Sequence, residues 1–335
     1  MTQKQKKQKQ INFTSAFILS CLLLFVMLLI SILYGDARIH LSTIYQAIFH
    51  YNPNIEQHNI ISEIRIPRDL GAVLVGMALA VAGAVVQGVT KNGLADPSLI
   101  GLNAGASFML AVTYAFYPSA NFSILMLAGF IGAILGGTIV LLMGRTRQDG
   151  FNPIRIILAG AAVSAFLTAL SQGIALFFKL NQDINFWSMG GVSGTTWIQL
   201  KWSAPIIIAT VILIILLSKQ LTILNLGESL ATGLGQNVTM IRTISLVLTM
   251  LLAGIAVAMV GQIAFVGLIV PHIVRFLIGT DYAKVIPLTA VLGGFLVLLA
   301  DTVARMLGDA PVGAIVSFIG VPYFIYLIRK GGRTI

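Results

Sequence analysis

The residues able to do chemistry in this sequence sit in patterns that limit what they can do. Gly191-Val192-Ser193-Gly194 has the GxSG spacing that can present a nucleophilic serine inside a membrane, and His272 lies in a later apolar segment. Two such matches in a glycine-rich chain are a weak signal. His272 directly follows Pro271 and reads more simply as a hydrogen-bonding residue of the scaffold. No GxxxxGK[ST] phosphate loop is present and no lysine follows a glycine, so the chain does not bind ATP through a Walker motif. HExxH and DxDxDG are absent too. Cys21 is the single cysteine, and three of the four histidines (His40, His50 and His58) share one polar stretch. Neither set makes a metal-ligand cluster. No catalytic residue, metal or bound cofactor is expected on this chain.

The ionisable residues are the remaining candidates. Arg65, Arg68 and Asp69 precede one apolar run, and Asp301 and Arg305 close another; only His272 and Arg275 lie deeper. Ion-coupled transporters and channels need charge or open backbone near the bilayer midplane. This sequence offers no obvious coupling site there, so transport, if that is the task, would draw its energy from a partner.

The elements that must position these residues follow from composition. The chain has 335 residues, 57% hydrophobic and only 10% charged, with a mean hydropathy of +0.95. A soluble domain carries about 25% charged residues. The composition excludes a soluble enzyme, a disordered chain and a nucleic-acid binder, and the net charge of +10 must be read against topology. Apolar runs span approximately 13–34, 67–88, 99–117, 122–143, 154–178, 202–218, 240–260, 262–279, 285–303 and 312–328. The fold class is an all-α polytopic membrane protein with about ten transmembrane helices, surrounded by lipid. The first run is too long for a signal peptide, and Cys21 sits near its start, not at its end as in a lipoprotein. It reads as an uncleaved span. A stretch around 184–193 is too short to span and suits a re-entrant or surface helix.

With a cytoplasmic N-terminus, ten spans return the C-terminus to the cytoplasm. Fifteen of the 21 lysines and arginines then lie inside, while Arg38, Arg65, Arg68, Lys179, Lys201 and Arg305 lie outside. The positive-inside rule favours this orientation. Residues 1–12 are a basic cytoplasmic N-terminus, 13–330 a single ten-span domain, and 331–335 a cytoplasmic tail. Gly71, Gly76, Gly83 and Gly88 in the second span, and Gly132 and Gly136 in the fourth, read as close helix packing. The cytoplasmic loop of about 219–239 carries Leu226, Leu230, Ala231 and Leu234 at helical spacing. With few basic residues for anionic lipid, this stripe suits docking into a partner's groove.

Several ordered motifs resemble one family, the FecCD-type permease subunits of type II ABC importers for iron–siderophores, haem and cobalamin. Arg65-Ile-Pro67-Arg68 resembles its RxPR, and Gln87, Asn92-Gly-Leu94-Ala95-Asp96-Pro97 and Gly101-x-x-x-Gly105-Ala106 resemble its Q…NPLAxP…G…GA segment. Trp187 with Gly190-Gly191, Leu226-Gly227-Glu228-x-x-Ala231-x-x-Leu234-Gly235, Phe265-Val266-Gly267-Leu268-x-x-Pro271-His272-x-x-Arg275 and Asp301-x-x-Ala304-Arg305 complete the series. Gly93 stands where proline is usual. The segment after Arg305 is a few residues short, with Asp309 near the position of the family's glutamate.

The resemblance implies a permease of the bacterial cytoplasmic membrane, not an enzyme itself. It would pair with a second permease, identical or paralogous, two ABC ATPase subunits holding ATP and magnesium, and an extracytoplasmic binding protein. Arg65, Arg68 and Arg305 would dock the binding protein, the alternative for Arg305 being an i,i+4 pair with Asp301. Leu226, Gly227, Glu228, Ala231, Leu234 and Gly235 would couple to the ATPase. Ser164, Thr168, Ser171 and Gln172 would line the pathway or instead bond between helices. An iron(III)–siderophore is the expected cargo; cobalamin, haem or an ion-coupled secondary transporter are the alternatives.

Overall fold

Apolar runs become helices here because a bilayer leaves backbone groups no partner outside their own segment. The caps then decide where each helix starts and stops. In a computed structural model of the chain, residues 11–34, 39–146, 150–151 and 153–331 are described. Helix α1 (Phe13–Leu33) begins at Asn12, whose side chain accepts the Thr14 N–H. A short α2 (Leu41–Phe49) follows, then α3 (Glu56–Asn59), which runs through a π-helical turn at Ile60–Arg65 into α4 (Ile66–Thr90). Lys91 closes α4 in the left-handed region at φ 52°. Next come α5 (Leu102–Phe116), α6 (Phe122–Gly144), a small antiparallel pair β1 (Arg145–Thr146) and β2 (Gly150–Phe151), and α7 (Pro153–Phe177). After α8 (Asn181–Ser188), a capping box of Thr196 and Gln199 starts α9 (Trp197–Leu216). The chain finishes with α10 (Ser218–Leu226), α11 (Glu228–Gly233), α12 (Val238–Val260), α13 (Val266–Ile278), α14 (Tyr282–Met306) and α15 (Val312–Gly331).

Seven of these helices are long and apolar enough to cross a membrane, and α5, α13 and α15 are shorter apolar helices. Together they account for the ten runs read from the sequence. The surface-helix expectation at 184–193 meets α8, followed by a tight crossing: the Gly191 N–H donates to the Val260 carbonyl at 2.8 Å. Gly190 there has φ 67° and no room for a Cβ beside the Gln262 carbonyl. Residues 1–10 of the basic N-terminus and 332–335 of the tail lie outside the described residues.

Two features were not read in advance. The stretch between the first two spans holds α2, and the second span is the lower part of one continuous helix from Glu56 to Thr90. Helix α2 is too short to register as a span. The π turn is invisible to hydropathy because it changes backbone pitch, not composition.

Helix α4 is the axis of the bundle, buried along most of its length and packed against α12, α13 and α14. Its glycines set the closeness. A Cβ on Gly76 would strike the carbonyl oxygen of Gly293 in α14, and one on Gly83 would strike that of Gly267 in α13. Gly105 of α5 and Gly132 of α6 exclude each other's side chains in the same way. Without a hydrophobic drive between helices in lipid, such backbone approach supplies the dispersion contact that holds them.

Gly76→Leu and Gly83→Leu should each cost about 1–3 kcal/mol or more from overpacking. Thermal unfolding of the detergent-solubilised chain checks this, with Gly93→Ala as control, since Gly93 has open space around it. Equal melting temperatures for all three variants would remove α4 from this role.

Candidate functional site

The ends of α1, α4 and α14 meet at one end of the bundle, here the far end, opposite the start of α1. The sequence delivers three arginines there. The π turn carries Arg65 to the end of α1, where its Nη1 donates to the Ile32 carbonyl at 2.5 Å. Arg68 straddles Asp301, with Nε at 3.1 and 3.0 Å from the two carboxylate oxygens and Nη2 at 2.9 Å from Oδ1. Its Nη2 also reaches Asp309 Oδ1 at 2.7 Å. Arg305 Nη2 lies 3.0 Å from Asp301 Oδ2 and 2.6 Å from Asp69 Oδ1. Ser31 Oγ donates to Asp69 at 2.8 Å and accepts from Arg305 and from Thr302.

The result is an alternating chain of charge: Asp309, Arg68, Asp301, Arg305, Asp69. Arg65, Arg68 and Arg305 are 6%, 8% and 9% exposed, and Asp69 and Asp301 are 1% and 0%. The resemblance implied that these arginines dock a binding protein at the outer surface. In the structure their guanidinium groups are committed inside the chain, and the Arg305–Asp301 i,i+4 alternative is present as one link. Asp309 is the exception, its side chain 52% exposed in a left-handed turn of φ 57°.

At the end where α1 starts, Gly227 with φ 141° breaks the chain between α10 and α11, and Gly235 with φ 80° follows α11. Leu226, Leu230 and Leu234 are 65%, 58% and 69% exposed, whereas Ala231 is fully buried. The stripe read from the sequence therefore divides, with the leucines outward and Ala231 inward. Glu228 is ion-paired with Arg242 of α12. The Arg242 hydrogen bond holds the Glu228 carboxyl below its ordinary value of 4.5, opposed by burial and helped by the charges of Arg242 and Lys91. Nearby, Gln87 of α4 donates to the Gly267 carbonyl at 3.0 Å and accepts from Arg275 of α13. The ring of His272 meets Tyr323 edge-on at 6.0 Å. Asp96 caps the turn at Pro97–Ile100 by accepting the Ser98 N–H at 2.9 Å, and burial pushes its carboxyl up.

The four candidate pathway residues of α7 also separate. Ser171 is buried and donates to the Ser107 carbonyl of α5 at 3.1 Å. Thr168 and Gln172, one turn apart, are exposed, and Ser164 is half-buried. Ser193 is exposed in the loop after α8. Among the described residues no group of three or more histidines, cysteines or carboxylates is placed to hold a metal ion. The sequence reading missed Ser31, Thr302 and Arg242 as partners. Arg242 carried one usable signal: a lone cation in the first turns of a span needs an acid nearby.

Residues 23–330 match the FecCD transport family. The chain belongs to that family. It is 44% identical over 309 residues, 91% of its length and 80% of the relative's, to the iron(3+)-hydroxamate import system permease protein FhuB of Bacillus subtilis (strain 168). It is 40% identical over 283 residues to the Fe(3+) dicitrate transport system permease protein FecC of Escherichia coli (strain K12), covering 82% and 84% of the two chains. A solved metal-chelate-type ABC transporter in an inward-facing conformation superposes with a TM-score of 0.83 at 28% identity, covering 95% of this chain and 99% of that one. As a FecCD permease the chain is a protein of the bacterial cytoplasmic membrane and the membrane component of an importer that also needs an ATPase and a binding protein.

Asp301→Asn should cost about 3–5 kcal/mol, because it removes the fully buried charge that Arg68 and Arg305 share and leaves each with a single acid. Asp309→Asn should cost about 1 kcal/mol or less, since water screens that pair. Unfolding midpoints of the two variants measure the difference, and equal losses would mean that Asp301 is not the centre of the network. The Glu228 pair should persist above pH 4.5 and be lost as pH falls below it, because its folded-state value is depressed. The loss of stability below pH 4.5 should therefore be smaller in Glu228→Gln than in the unsubstituted chain.

Proposed function

We propose that this FecCD permease carries an iron(III)–siderophore complex across the membrane, taking it from a binding protein and using ATP hydrolysed by a partner. The observation that carries this reading is the 44% identity with the FhuB relative across 91% of the chain. The basic end then faces the cytoplasm, and the far end faces outward, as the charge distribution favours. Two permeases, identical or paralogous, and two ATPases make the proposed assembly, with ATP and magnesium on the ATPases and no catalytic group here. The exposed Leu226, Leu230 and Leu234 suit a partner's apolar groove. Gly227 and Gly235 bound α11 on either side, and Ala231 is its buried residue.

At the outward end the docking role of Arg65, Arg68 and Arg305 takes an altered form. Buried at 6–9% exposure, they hold the helix ends that shape the docking face from beneath. Thr168 and Gln172 on the exposed face of α7 are the pathway candidates, and Ser164 borders them. Ser171 bonds between helices. A second cargo has a specific observation in its favour: the hemin transport permease HmuU of Yersinia pestis is 36% identical over 91% of the chain.

Proteoliposomes holding the permease, its ATPase and its binding protein decide between these readings. ATP-dependent accumulation of a labelled ferric hydroxamate, with neither haem nor cobalamin taken up, is expected. Haem uptake alone would move the cargo to the second reading. Uptake driven by an ion gradient without any ATPase would overturn the importer reading.

A further inference from the structure

The short helix α11 touches the spans through very few groups. Gly227 and Gly235, which bound it, have open space where a Cβ would stand, so neither end is wedged in place. Along α11 the one buried residue is Ala231, a contact without direction. Gln236, just beyond, is tied back to the Gln220 carbonyl of α10 at 3.0 Å. Helix α10 is in turn tied to α14, since the Tyr282 N–H donates to Thr222 Oγ1 at 2.9 Å. The direct polar link from α11 to a span among the described residues is Glu228 with Arg242.

Arg242 is 6% exposed, and Glu228 is its one ion-pair partner among the described residues. Its Nε is buried with no hydrogen-bond partner. A buried cation with a single acid follows that acid, because separating them leaves the charge uncompensated. Helix α12, which carries Arg242, is the other heavily buried span and packs on α4, α5, α6 and α9. Movement of α12 would therefore be felt by much of the bundle. Leu226 at the end of α10, Leu230 in α11 and Leu234 just after it are exposed and carry no such link.

The geometry points to Glu228 as a positioning residue within the permease, a strut that transmits displacement of α11 to α12 through Arg242, while the leucines make the contact with the ATPase. This inference rests on the importer reading above and divides the work of the coupling loop between binding and transmission. It predicts that Glu228 and Arg242 matter as a pair and not to the partner's grip.

The test uses the complete importer in proteoliposomes, with ATP hydrolysis and cargo uptake measured together and ATPase retention read by co-purification. Glu228→Gln and Arg242→Gln should each lower cargo moved per ATP by about tenfold while the ATPase stays bound. The exchange Glu228→Arg with Arg242→Glu should restore most of that loss. Should the exchanged chain fail to fold by size exclusion, the double Gln variant decides. A pair acting together loses no more in the double variant than in either single one, and independent residues multiply their losses. Loss of the ATPase from Glu228→Gln but not from Arg242→Gln would overturn the proposal, as would an exchange that folds and rescues nothing. An unsubstituted importer that moves no cargo with ATP would instead overturn the importer reading, a result separate from all of these.

Discussion

Two arginines inside a membrane bundle must each find an acid, and that requirement organises the far end of this protein. Moving an ion from water into a low-dielectric interior costs several kcal/mol, which only close and well-shaped pairing recovers. Asp301, with no exposure at all, lies between Arg68 and Arg305 and is bonded to both. Neither arginine can move without changing what Asp301 sees. Because Arg68 belongs to α4, Asp301 and Arg305 to α14, and Ser31 to α1, the three helix ends are fixed as one unit. The backbone contacts of Gly76 with Gly293 continue the α4–α14 junction deeper into the bundle.

The opposite end is built on another principle. There a single ion pair, half open to water on the Glu228 side, joins a six-residue helix to α12 between two glycines in the positive-φ region. Screening makes that pair individually weaker than the buried network. A rigid far end and a compliant near end suit a bundle that must be moved from one side. Local elements with few buried contacts open at lower free energy than the core, and α11, with Ala231 alone buried, is such an element. Helices α4 and α12, both packed nearly all round, are the bodies that can carry a displacement onward.

Much of this was legible in the sequence, for a reason that also marks the limit. A bilayer demands long apolar runs, so the ten segments announced themselves, and the glycines of α4 and α6 marked the close crossings before any contact was known. The clustering of Arg65, Arg68, Asp69, Asp301 and Arg305 at span ends was equally visible. Which acid holds which arginine was not. Arg68 and Asp309 are 241 positions apart, and no periodicity reaches that far. Hydropathy places a charge at a span end, and a span end reads as a wet rim. The structure buries that rim because α1 folds across it and brings Ser31. Likewise the stripe of Leu226, Leu230, Ala231 and Leu234 looked like one surface. Gly227 starts a new helix after Leu226, and along α11 the ordinary helical turn between neighbours sets Ala231 inward while Leu230 faces out.

The break at Gly227 explains why one loop can serve two masters. In an uninterrupted helix, residues 226, 230 and 234 would share a face with 227 and 231 at its margin. The positive-φ backbone at Gly227 instead resets the register. Glu228 then enters at the first turn of α11, on the side that meets Arg242, and the leucines stay outward. On the proposed reading, a partner that grips the leucines pulls along a line that ends on a buried charge in α12. The apolar grip is tolerant of shape, whereas the charge pair fixes direction. That combination lets a partner bind through side chains with little specificity and still move one particular helix.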